Sequence, residues 1–328
     1  MGKNNERGVP LSSEAPAPHR PRPRPHELLT AGYLVGTGFL VATLGTPPTA
    51  WWPVLAAHGL GVVAAVALLP LLDTRGWQSV VRDWLPVAVL PLLYTEIPRL
   101  NQLISTGYHD HAIRAVEFAV FQAPPRITLR QLLPWRPFVE YLHFSYVAYY
   151  LLLPILGGAL YLRGRLREFR FMLATVLATF YACYLCFIIY PVAGPWYRVP
   201  HPDMASVGLF FPALVHDLLV AGAAKGAAFP SSHVAVAVVI WLLAWRLTRP
   251  VFWLLAAIVP ALALGTVYGG FHYAVDSAAG ALVGVAGFLG GPYVHRFLGG
   301  DSFDSAASAG SVSREPHPGH PGHPGHPG

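Results

Sequence analysis

Long apolar stretches alternate with short polar connections from about residue 28 to residue 298. A hydrocarbon core about 30 Å thick requires roughly 20 apolar residues per crossing helix. On that measure eight segments qualify, at about 28–45, 51–72, 84–100, 138–162, 169–191, 231–248, 251–270 and 273–298. The third is the weakest, with Glu96 and Arg99 near its end and prolines inside it. Residues 101–137 carry shorter amphipathic pieces, such as His111–Phe121, expected to lie in the membrane interface rather than cross it. The pattern predicts an all-α integral membrane bundle of six to eight transmembrane helices.

The two ends read differently. Residues 1–27 are rich in Pro and Arg, including Pro21-Arg22-Pro23-Arg24-Pro25, and have too few apolar side chains to pack a core. They are expected to form a disordered basic tail. The first apolar run starts late and leads into a second hydrophobic segment, unlike a signal peptide. From residue 299 the chain is again small and polar and ends in repeated His-Pro-Gly, with His317, His320, His323 and His326. Proline at every third residue forbids a helix there. A solvated tail is the preferred reading over weak metal capture.

Composition points the same way. Hydrophobic residues make up 54% of the chain and charged residues 12%, against about 25% charged in soluble domains. The net charge of +6 does not imply a nucleic-acid partner, because the basic residues cluster beside apolar runs and no RNA or DNA motif accompanies them. They fit orientation signals instead. With eight spans and a cytoplasmic N-terminus, most of the 22 Lys and Arg fall inside, including Arg163, Arg165, Arg167 and Arg170 in one short loop. The expected location is the cell membrane, with both termini cytoplasmic. The only two cysteines, Cys183 and Cys186, lie in an apolar run and read as packing residues rather than a closed zinc site.

That topology puts three polar segments on the non-cytoplasmic face: Gly194–Arg198, Ala228–His233 and Tyr268–Asp276. His272 and Asp276 are four apart and share a helix face. A carboxylate bonded to one imidazole nitrogen fixes the tautomer and makes the other nitrogen a better nucleophile or base. His233 follows Pro230-Ser231-Ser232, where a helix begins. Free N–H groups and the dipole at such an end attract phosphate, and the Ser231 and Ser232 hydroxyls add donors. A second histidine there can protonate a leaving alkoxide. Arg198 offers a bidentate phosphate clamp. Each part alone has a plainer reading: an interfacial histidine, a serine cap, a snorkelling arginine. Ionisable groups near lipid are costly and mostly functional, and three such segments on one face favour a site.

Pro230-Ser231-Ser232-His233 and His272-Tyr273-Ala274-Val275-Asp276-Ser277-Ala278-Ala279-Gly280 resemble the second and third signatures of the type 2 phosphatidic acid phosphatase superfamily. The resemblance covers roughly residues 138–298 and implies a bundle with a phosphatidic acid phosphatase/haloperoxidase-like core. It makes 138–298 the catalytic core, preceded by transmembrane helices and an interfacial loop over 28–137. It also implies that His272 is a nucleophile that becomes phosphohistidine, that Asp276 orients it, and that His233 is the acid for the leaving group and later the base for the acceptor. The family's phosphatases usually carry Ser-Arg seven and six residues before that histidine. Here Gly265 and Thr266 stand there. The first signature, a lysine followed by Arg-Pro, is replaced by Tyr190–Arg198. Both departures resemble the branch of inositol phosphorylceramide synthases and, more distantly, sphingomyelin synthases, which transfer phosphorylated headgroups between lipids. Arg198 is the candidate replacement for the lost cation, and Lys225 the second.

The expected partners are a membrane lipid substrate and a possible lipid hydroxyl acceptor, with no resident metal or cofactor. Two rivals stay open: a polyprenyl diphosphate phosphatase, and a non-catalytic lipid-binding or transport bundle. Glu96, Arg99, Asp110 and Glu117 read as a charge network beside the site, as headgroup-binding groups, or as partners paired at the interface. His143, Tyr146, Tyr149 and Tyr150 read as packing or belt residues. His201, Asp203, His216 and Asp217 are candidates to roof the pocket.

Overall fold

The computed structural model describes residues 22–72, 76–198 and 209–301. His201, Asp203 and the His-Pro-Gly repeat lie outside them. The described residues form eleven α-helices and no named strand: α1 (Pro25–Leu44), α2 (Pro48–Val63), α3 (Trp77–Ile104), α4 (Asp110–Phe121), α5 (Pro125–Leu132), α6 (Arg136–Tyr161), α7 (Leu166–Ile189), α8 (Phe210–Gly222), α9 (Ser232–Leu247), α10 (Arg249–Tyr268) and α11 (Ala274–Phe297). Each of the eight apolar segments is helical. Six are long and apolar enough to cross a membrane: α1, α2 with its continuation to Leu72, α6, α7, α10 and α11. The chain is an integral membrane protein. Of the other two, α3 runs 28 residues and carries buried charges, and α9 is an apolar 16-residue helix.

The first helix starts at Pro25, inside the stretch expected to be a tail. Proline is tolerated at that position, and the Arg24 backbone N–H donates to Glu27 Oε2 at 2.7 Å. What holds this end in place is a buried ion network. Arg82 of α3 is fully buried and binds Glu27 through two nitrogens, at 2.6 and 2.9 Å. Its neighbour Asp83 pairs with Arg24 and with Arg170 of α7, the latter at 3.2 Å. Buried charges persist only when paired in this way. The network ties α1, α3 and α7 together at the end where the Arg163–Arg170 turn lies.

Helix α7 is the axis of the bundle, and Phe169, Met172, Leu173, Val176 and Leu177 along it are sealed from solvent. It contacts α1, α3, α6, α9 and α11. Glycine allows α11 to approach the start of α9 closely. A Cβ on Gly280 would stand 2.4 Å from the Ser231 carbonyl oxygen. Gly280→Ala is therefore expected to force the helices apart and to cost about 1–3 kcal/mol, read as a lower melting temperature in detergent. An unchanged melting temperature would contradict this packing.

The ends of α7 and α10 and the starts of α9 and α11 meet at the opposite end of the bundle from the ion network. Helices α4 and α5, which are 12 and 8 residues long, do not cross; they dock over this end. Residues 101–137 were expected to lie in the interface. The hairpin does expose an apolar side, with Phe118, Val120, Leu132 and Trp135 all 60% or more exposed. Its polar side is engaged with the site.

Candidate active site

Helix α10 ends in Tyr268-Gly269-Gly270, where Gly270 takes φ +75°, a conformation that favours glycine. The reversal returns the Phe271 and His272 amides to the Thr266 carbonyl, at 2.9 and 3.0 Å. Arg130 of α5 reinforces it, donating from Nε to the Tyr268 carbonyl (2.8 Å) and from an η-nitrogen to the Gly269 carbonyl (2.9 Å). His272 is thereby fixed just ahead of α11 and is 6% exposed.

Its imidazole geometry decides its chemistry. Nδ1 lies 2.9 Å from the Ala228 carbonyl oxygen. A carbonyl only accepts, so Nδ1 carries the proton and Nε2 keeps its lone pair. The Asp276 carboxylate was expected to make this bond. Its Oδ2 stands 3.7 Å from Nδ1, beyond hydrogen-bond range, and accepts the Tyr273 amide at 2.8 Å. Asp276 is fully buried and acts on His272 as a close negative charge, while capping α11. Its main-chain carbonyl accepts the Ser231 N–H at 2.9 Å, joining the second signature segment to the third.

Ser231 is the N-cap of α9, and its hydroxyl accepts the Val234 amide at 3.4 Å. Ser232 is the first helical residue and is 5% exposed. His233 follows, with its ring centroid 5.9 Å from that of His272. Tyr146 and Tyr149 of α6 flank it at 4.9 and 4.6 Å, and the Tyr146 hydroxyl is 3.3 Å from its Nε2. Two tyrosines that read as packing residues thus hold the second histidine.

A cavity of about 440 Å³ opens against His272. Arg114 and Glu117 of α4, Arg126 of α5, Arg198 and Tyr273 line it with His111. Asp110 anchors the hairpin, accepting the Ala193 and Gly194 amides at 2.9 Å each and the Tyr273 hydroxyl at 3.2 Å. Arg198 reaches Asp110 at 3.6 Å and is 49% exposed. Lys225 is not on this wall; its ammonium lies over the rings of Tyr108 and Tyr197, at 4.9 and 5.9 Å. His216 stacks edge-on to Trp196 at 5.4 Å, and neither it nor Asp217 lines the cavity. Glu96 sits away from the site, 3.6 Å from His58.

Glu117 Oε1 accepts the Ala274 amide at 2.7 Å, beside the Asp276 cap. Burial holds its carboxyl above the ordinary carboxylate range, against the opposing Ala274 hydrogen bond. A raised carboxyl pKa stabilises the fold at low pH, and that contribution is lost as pH rises through it. Glu117→Gln keeps an acceptor without the charge. Its melting temperature is expected above wild type at pH 8, with the gap closing toward pH 4. A gap that widens in acid would contradict the sign.

The family model of the PAP2 superfamily matches residues 111–290, more than half of the 328. The chain belongs to the PAP2 superfamily. No curated protein and no solved structure matches it. The superfamily match begins at His111, so the α4–α5 hairpin falls within the PAP2 segment with the histidines. PAP2 membership gives the protein a lipid-phosphatase type of fold. Arg114 and Arg126 were not singled out from the sequence, and Glu117 was read only as one of several charges beside the site or at the interface. The signal available was a charged stripe, Asp110, Arg114 and Glu117, on one face of an amphipathic helix.

Proposed function

We propose that this PAP2 protein cleaves or transfers a phosphoester on a membrane lipid through a phosphohistidine on His272. The observation that carries the reading is the Nδ1 bond to the Ala228 carbonyl, which leaves the Nε2 lone pair free on a histidine that lines an arginine-lined cavity. Nε2 attacks phosphorus, the bond from phosphorus to the lipid oxygen breaks, and His233 gives its proton to that oxygen. A hydroxyl then attacks the phosphorus–nitrogen bond, its proton passes to His233, and His272 is regenerated neutral. Asp276 supports the positive charge that His272 carries in between. The bound phosphate favours the protonated form of His233. His233 is not part of the cavity wall, so the leaving oxygen departs on the α6–α9 side, beside Tyr146 and Tyr149.

Water as the second hydroxyl makes a phosphatase; a lipid or polyol hydroxyl makes a headgroup transferase. Gly265 and Thr266 in place of Ser-Arg favour transfer, in the manner of inositol phosphorylceramide synthases. Polyprenyl diphosphate hydrolysis is the alternative substrate reading. The Arg163–Arg170 turn lies at the far end of the bundle, and its positive charge supports a site on the non-cytoplasmic face of the cell membrane.

The test uses purified protein in lipid vesicles, with phosphate-labelled lipids supplied with and without a hydroxylated acceptor. New labelled lipid that depends on acceptor identifies a transferase, and free phosphate alone a phosphatase. Lipid binding without either product would overturn the catalytic reading and leave a non-catalytic bundle.

A further inference from the structure

A phosphate site needs cations, and the positions where this superfamily usually keeps one are closed here. At Gly265 a Cβ would stand 2.8 Å from the Leu142 carbonyl oxygen of α6. Thr266 is fully buried, with its hydroxyl 2.7 Å from the Ala263 carbonyl and 2.8 Å from the Ser277 hydroxyl. An arginine at 266 has no path to the cavity. The guanidinium groups come from elsewhere: Arg114 from α4, Arg126 from α5, and Arg198 from the short helix after α7.

We infer that α4–α5 has taken over the cation function, and that Arg114 and Arg126, with Arg198, bind the anionic head of the substrate. This rests on the phosphoryl-transfer reading for its biological meaning, and on the cavity alone for its binding claim. Four features support it. The hairpin is pinned to the catalytic loops by Asp110, Glu117 and Arg130, so its arginines are held at fixed positions rather than left free to snorkel. Arg126 runs close to the signature turn, its Cδ 3.8 Å from the Cβ position of Gly270, two residues before His272. Neither Arg114 nor Arg126 makes an ion pair or side-chain hydrogen bond among the described residues, whereas Arg130 is spent on two carbonyls. The one carboxylate on the wall, Glu117, is already hydrogen-bonded to the Ala274 amide.

Three guanidiniums face Glu117 on the wall, and Asp110 stands 3.6 Å from Arg198, so the guanidiniums still outnumber these carboxylates. Each planar fork matches two phosphate oxygens. The ligand class that such a wall favours is an anionic phosphate or diphosphate head that carries no cation of its own. A phosphocholine head, whose ammonium offsets part of its phosphate charge, is disfavoured. Specificity of this kind comes as much from repelling the wrong head as from binding the right one.

The test measures binding and turnover separately on the full chain in detergent. The binding probes are inorganic phosphate, inorganic diphosphate and phosphocholine, followed by calorimetry. Wild type is expected to bind phosphate and diphosphate at least tenfold more tightly than phosphocholine. Arg114→Gln and Arg126→Gln are each expected to weaken both anions about tenfold or more and to raise KM more than they lower kcat. Arg126→Lys is expected to restore only part of the affinity. Anion binding unchanged in both Gln variants, or phosphocholine bound as tightly as phosphate, would overturn the inference. Arginine-dependent anion binding in a protein that turns over no lipid phosphate would instead sink the phosphoryl-transfer reading and leave the cation site standing. Circular dichroism on each variant confirms that the helices persist.

Discussion

Replacing His272 with alanine is expected to lower turnover on any lipid phosphate by at least about 10³-fold, because removing a covalent nucleophile abolishes a step rather than weakening one. The geometry makes the expectation sharp. With Nδ1 committed to the Ala228 carbonyl at 2.9 Å, Nε2 is the imidazole atom left to react. His272→Asn is the more demanding variant, since its amide can keep a donor toward Ala228 but has no nucleophilic nitrogen. Both variants are expected to bind inorganic phosphate close to the wild-type level, because the cations are on other residues. Labelled-substrate turnover that survives in either protein would remove His272 from the chemistry.

The second large effect belongs to His233. A positioned general acid is worth typically 10²–10⁴-fold, and His233→Gln is expected to lose an amount in that range. The loss depends on the leaving group. A lipid alkoxide needs a proton, whereas a nitrophenolate leaves without one, so the variant is expected to release a first stoichiometric burst of nitrophenolate at close to the wild-type rate. It is then expected to turn over slowly, because the base of the second step is missing. His272→Ala is not expected to recover on either substrate. A nitrophenolate burst slowed as much as release of the lipid alkoxide would place His233 outside leaving-group protonation and leave it a packing partner of Tyr146 and Tyr149, which flank it at 4.9 and 4.6 Å.

How far the sequence carries is visible in these same residues. The eight apolar segments each became a helix, because membrane thickness imposes a length that can be read directly. The nearness of His233 to His272 was legible too. Each stands where a polar segment enters an apolar run, and such segments at one membrane face have few other places to go. The tautomer was not legible. The spacing of His272 and Asp276 points to a carboxylate–imidazole bond, yet the partner is a main-chain carbonyl 44 residues away in sequence. No side-chain pattern announces a carbonyl.

The hairpin shows the other limit. An arginine on an amphipathic helix looks the same whether it snorkels to headgroups or walls an active site. Asp110 decides between them through the amides of Ala193 and Gly194, 83 and 84 residues further on. Such pairings become apparent only when the chain is folded. The start of α1 at Pro25 has the same origin, since the Glu27 carboxylate is bound by Arg82, 55 residues away. Lys225 and Arg198 looked similar as loop cations; aromatic rings hold the first away from the cavity, and the second lines it.

The most direct measurement on the central claim is capture of the covalent intermediate. Protein in vesicles is mixed briefly with a lipid labelled in its phosphate, denatured in base, digested and mapped. The account predicts a phosphoenzyme stable to base and labile to acid, with the label on the peptide containing His272 and absent in His272→Ala. Turnover without any such label, or label on a serine of α9, would contradict it.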